Sequence, residues 1–154
     1  MFKHRNPILP LLILFIAAPA AAQAPNWWGG SSTGTGYPTN STPITASATG
    51  TTAAISATLP AVAGKTTFIC GFIMSSGGTT TAVFANATVV GTITGTMNFV
   101  YGAVAPAVGQ GLLNIAFNPV CIPANAQNTA IVVTQPAGGT GTTAAALSVW
   151  GYQL

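Results

Sequence analysis

The stretch Thr66-Thr67-Phe68-Ile69-Cys70-Gly71-Phe72-Ile73-Met74 decides the fold. Its large side chains alternate: Phe68, Cys70, Phe72 and Met74 on one side, Ile69 and Ile73 on the other. Period two in β-branched and aromatic residues is the pattern of a strand in a sheet. A surface helix would need apolar residues three and four apart and charged residues on its far side. Those charges are absent. The 154-residue chain holds three Lys+Arg, one His and no Asp or Glu, and 2% of it is charged.

The alternation recurs on both sides of this stretch. Upstream, Thr52–Leu59 places Ile55, Ala57 and Leu59 together. Downstream, Thr80–Asn86, Thr88–Thr96, Met97–Tyr101, Leu112–Asn118, Thr129–Gln135 and Ala144–Leu154 read the same way. The separators Pro60–Gly64, Ser75–Gly78, Gly102–Gly111, Pro119–Asn128 and Pro136–Gly141 are turn chemistry. About eight short strands at this spacing predict a single antiparallel β-sandwich, most simply a jelly roll, with an Ig-like sandwich as the alternative. Thr92, Thr94 and Thr96 are read as polar strand formers. A flat water-ordering array would repeat with a fixed period, and none is present. In the last strand, Trp150 and Tyr152 share a face, and core is the default for that face.

Most of the charge sits at the start. Lys3, His4 and Arg5 precede Ile8-Leu9-Pro10-Leu11-Leu12-Ile13-Leu14-Phe15-Ile16 and then the small residues Ala17–Ala24. A basic start, a short apolar run and an A-x-A site make a secretory signal peptide over residues 1–22. Cleavage is expected at Ala22/Gln23, with Ala24/Pro25 as the second site. The apolar run is too short for a comfortable membrane span, so no permanent anchor is expected once the signal is removed. A secreted, periplasmic or cell-surface location follows. Residues 23–43, Q-A-P-N-W-W-G-G-S-S-T-G-T-G-Y-P-T-N-S-T-P, read as a flexible Gly/Ser/Thr/Pro-rich arm. Residues 44–154 are the β-sandwich domain.

Beyond the signal, Lys65 is the one charged side chain. A chain without carboxylates has no Asp-oriented triad, no carboxylate acid or base and no carboxylate metal cage. Nucleic-acid binding needs a basic stripe, which is missing. Ala63-Gly64-Lys65-Thr66-Thr67 superficially suggests a phosphate loop, but Leu59 stands where that motif needs glycine, and a strand follows instead of a helix. A Ser–Lys dyad would need a buried lysine, and nothing marks a partner serine. The expectation is a non-enzyme with no catalytic residue, no metal and no cofactor. No side chain of residues 23–154 titrates between about pH 4 and 8 by reference values.

Cys70 and Cys121 form an even pair in an exported chain, which reads first as a disulfide and second as two buried thiols. Trp27 and Trp28, with Tyr37, are candidates for docking to a partner, because adjacent tryptophans in a polar arm are not core by pattern. The lack of surface charge has its own consequence. Uncharged, Thr-rich strands leave faces and edges sticky, and neutral copies pack without mutual repulsion. The chain is therefore expected to be a self-assembling structural protein, a homo-oligomer. The rival class is an adhesin or lectin-like module that binds a cell-surface glycan or envelope protein through exposed aromatics.

Three segments together resemble a known group: Ala63–Phe72, Cys121–Ile131 and Val149–Leu154. The group comprises small β-rich exported proteins of bacteria, mainly alphaproteobacteria, and similar proteins of their phages, some of them virion structural proteins. The resemblance spans most of residues 44–154. It implies a structural role and carries over no catalytic residue. In the exported members both cysteines occur together, which adds to the disulfide reading. The phage proteins lack a signal peptide, so the signal here departs from their pattern.

Overall fold

The computed structural model describes residues 37–103, 111–117 and 119–154. Its strands are β1 Thr42–Gly50, β2 Ile55–Leu59, β3 Thr67–Gly77, β4 Val83–Thr92, β5 Gly95–Ala103, β6 Gly111–Ala116, β7 Ile122–Pro123, β8 Ile131–Gln135 and β9 Ala144–Gln153. They form two antiparallel sheets. One has the order β1-β9-β3-β6, with β7 added beside β3, and the other has the order β2-β8-β4-β5. The chain thus folds as nested antiparallel pairs, β1·β9, β2·β8, β3·β6 and β4·β5, with successive pairs alternating between sheets. That wrapping is the jelly roll.

The core lies between the sheets. Ala57 and Leu59, Ile69, Phe72 and Met74, Ala87 and Val89, Tyr101, Ile131 and Val133, and Leu147 and Val149 are all buried there. Phe72 of the first sheet meets Phe99 of the second edge-on at 5.3 Å, with Phe117 at 6.2 Å. Each such aliphatic side chain withdrawn from water contributes about 1.5–3 kcal/mol.

Local details depart from simple alternation. In β3 the register with β9 shifts between Ile69 and Gly71, so Cys70 is one extra residue in the strand. A bulge of one residue exchanges the two faces beyond it. Thr67 and Ile69 point inward before it, Phe72 and Met74 after it, and Phe68 is turned outside. The expected grouping of Phe68 with Phe72 and Met74 is therefore corrected. Thr80–Asn86 and Thr88–Thr96 are not two strands: β4 runs unbroken through Ala87 to Thr92. Thr92 is buried and bonds Thr94 Oγ1 at 2.9 Å and the Gly95 carbonyl at 2.7 Å, so these threonines close a turn.

An unexpected strand, β1, precedes the first one read from sequence. Its inward residues are Ile44, Ala46 and Ala48, whose small side chains give a weak signal, and it is held by continuous pairing with β9 from Thr42 to Gly50. It begins two residues ahead of the expected domain start. Residues 62–65 form a turn, with Lys65 N–H bonded to the Val62 carbonyl at 3.1 Å and Gly64 at φ 74°. It leads straight into β3.

Candidate functional site

Cys70 and Cys121 are joined, and no free cysteine exists among the described residues. The bond fastens the segment that contains β7 to the bulge in β3. That segment also bridges the two sheets at this end. Ala124 N–H bonds the Thr67 carbonyl at 2.7 Å, while the Pro123 carbonyl accepts from Ile93 N–H at 2.9 Å and the Gly91 carbonyl from Asn125 N–H at 3.0 Å. A disulfide of this kind suits an oxidising, extracytoplasmic compartment. Among the described residues no helix is long and apolar enough to cross a membrane.

The other anticipated residues divide. Tyr37 is half-buried and packs edge-on against Tyr152, ring centres 5.6 Å apart. Tyr152 in turn stacks on Phe68 at 4.7 Å. Tyr37 is thus anchored to the sandwich. Trp27 and Trp28 lie outside the described residues. Lys65 Nζ donates to Thr42 Oγ1 at 3.0 Å on the exposed surface.

Trp150 is not in the core. β9 turns Leu147 and Val149 into the inter-sheet core and leaves Trp150 half-buried on the other face, while Tyr152 is buried against Phe68 and Tyr37. The indole lies across Gly71, where any Cβ would overlap the ring and would also meet the Ile115 carbonyl. Beside it a shallow groove is lined by Thr45, Ala46, Ser47, Ser148, Val149 and Trp150. This groove is neutral, with small hydroxyl side chains beside the indole.

The outer face of the second sheet is neutral too, but more apolar. Its cross-strand register sets Ser56, Thr134, Thr88 and Asn98 in one row, with Asn86 beside Val100 and Phe84 beside Gly102. Phe84 is 74% exposed and Val100 71%. The Phe84 ring leans over Gly102, where a Cβ would stand 2.8 Å from it. An aromatic laid over a glycine at the sheet margin places the apolar patch on the β5 edge. These two residues were missed as surface residues. The usable signal was their company, since Phe84 alternates with Asn86 and Thr88, and Val100 with Asn98.

Between the sheets lies a buried polar cluster. The Tyr101 hydroxyl donates to Ser76 Oγ at 2.7 Å, with the Gly111 carbonyl at 3.3 Å. Gln135 Nε2 donates to the Ser75 carbonyl at 2.9 Å and reaches the Tyr101 hydroxyl at 3.4 Å. Gln135 Oε1 has no hydrogen-bond partner among the described residues. Burial pushes the Tyr101 phenol pKa up, against the opposing effect of the Ser76 and Gln135 bonds. Burial raises Tyr152 as well.

Comparison with protein-family models, with curated proteins and with solved structures finds no match to this chain.

Proposed function

We propose that this chain is a non-catalytic, exported structural protein that assembles with copies of itself, at the cell surface or in an extracellular or virion-like particle. The observation that carries this reading is the pair of sandwich faces without a charged side chain, one of them bearing Phe84 and Val100 in the open. A soluble monomer ordinarily keeps mixed charge on its faces and apolar patches small. Burial against further copies removes the apolar surface from water and leaves no charge unpaired. The disulfide and the amino-terminal signal pattern support export. Lys65, half-buried and bonded to a threonine hydroxyl with no partner serine on it among the described residues, supports a non-catalytic reading. Light scattering after size exclusion of the exported chain tests the reading. The expected result is a defined mass above one copy, and a monomer at high concentration would overturn it.

A second reading, a secreted adhesin or lectin-like module, is favoured by Trp150 beside its hydroxyl-lined groove. A half-buried aromatic next to hydroxyls is suited to stacking its open side on a sugar ring. A saturable glycan signal abolished by Trp150→Ala would support it.

A further inference from the structure

We propose that the free edge of β5 is the self-association surface, pairing antiparallel with β5 of a second copy about a two-fold axis. The proposal rests on the self-assembly reading and names the strand that performs it. β5 ends the second sheet. Among the described residues no strand pairs with its outer side; the start of β6 packs only against its far end, where Gly111 lies close to the Gly102 carbonyl and Ala103, leaving Thr96–Val100 open. An open strand edge offers a row of unmet N–H and C=O groups, and proteins blunt such edges with charge, proline, bulges or brevity.

β5 has none of these protections over Met97–Ala103, the one irregularity in its pairing with β4 lying at its start, between Val89 and Thr92 of β4. It is nine residues long, Gly95–Ala103, with no charge and no proline. Its register with β4 is unbroken from Met97 to Ala103. The other edges are better guarded. β2 has five residues and β6 has six. β1 carries Pro43 and shows Thr45, Ser47 and Thr49 to solvent.

The side chains favour the same partner. A two-fold axis perpendicular to the sheet keeps outer faces outward in both copies. Val100, Gly102 and the overlying Phe84 of each copy then meet along the seam and form one apolar strip. A partner rich in charge would leave its ions unpaired against a face that has none. A second copy of this chain brings no Asp or Glu and, in residues 23–154, the single lysine Lys65, which lies between β2 and β3. Antiparallel strands are also self-complementary, as an isologous contact requires.

The test uses the full exported chain. Single cysteines are introduced as Thr96→Cys, Asn98→Cys and Val100→Cys, with Ser56→Cys on the opposite edge as control, and treated with a short bis-maleimide. The native cysteines are tied up in their disulfide. A covalent dimer from the β5 series and none from Ser56→Cys is expected. In parallel, Val100→Lys sets two ammonium groups near one another across the seam. It should raise the dissociation constant about ten-fold or more while leaving the circular dichroism unchanged. An oligomer by light scattering without β5 cross-links, or with equal cross-linking at Ser56→Cys, overturns the β5 assignment and leaves self-assembly standing. A monomer at all concentrations overturns both.

Discussion

Deleting the disulfide in Cys70→Ala/Cys121→Ala should cost this fold a large part of its stability, through the unfolded chain. The bond joins residues 51 apart. For a loop of that size, chain entropy gives about 4 kcal/mol at 25 °C. The enclosed segment holds all of β4, β5 and β6, so the reduced chain gains the freedom of three strands. The native side loses little, because the backbone bonds Ala124 N–H to the Thr67 carbonyl and Phe117 N–H to the Cys70 carbonyl do not depend on sulfur. Domains of ordinary size have about 5–15 kcal/mol in total, so the variant should remain folded but fragile. Urea titration followed by circular dichroism, with linear extrapolation, measures the difference. The slope m should also rise, since an unlinked chain exposes more surface on unfolding. A loss below about 1 kcal/mol with m unchanged would refute the reasoning.

Gly71→Ala drives a methyl group into the Trp150 ring and the Ile115 carbonyl, and should cost about 1–3 kcal/mol. Adding Trp150→Ala should recover part of that loss, read by a double-mutant cycle on thermal unfolding. Tyr101→Phe removes the hydroxyl shared by Ser76 and Gln135 and should cost about 1–3 kcal/mol, measured by the same urea titration. The stability of the chain should be nearly flat from about pH 4 to 8, because no side chain of residues 23–154 has its reference value there. Above about pH 10 it should fall. Tyr101 and Tyr152 hold their protons more tightly folded than unfolded, so the unfolded state ionises first and is favoured as pH rises through the folded values. A thermal midpoint that moves by many degrees between pH 4 and 8 would contradict this.

The sandwich was legible in the sequence because strand periodicity is local. Ile55, Ala57 and Leu59, and likewise Met97, Phe99 and Tyr101, face the core as their spacing implies. What escaped was whatever depends on a distant partner. The two faces of β3 could not be assigned because one extra residue, Cys70, exchanges them. β1 escaped because Ala46 and Ala48 look like a linker until β9 lies beside them. Trp150 was read as core because large aromatics usually are. Only its position above a side-chain-free Gly71 on the neighbouring strand lets it lie flat outside. The disulfide pair was visible from an even cysteine count in a chain with an export signal. The patch at Phe84 and Val100 was not, because a lone strand does not reveal which of its faces meets the core.

The placement of β9 sets a schedule for the molecule. It lies between β1 and β3, and those two strands do not pair with each other. Until Ala144–Gln153 has been synthesised and brought back, β1 has no neighbour in its sheet. In the other sheet β8 stands in the same relation to β2 and β4. Ribosomal order therefore delays closure of both sheets until β8 and β9 have been made, although β3·β6 and β4·β5 can pair before them. Until then the edges of β1 and β2 stay open, waiting for the two strands that come last in the order of the chain.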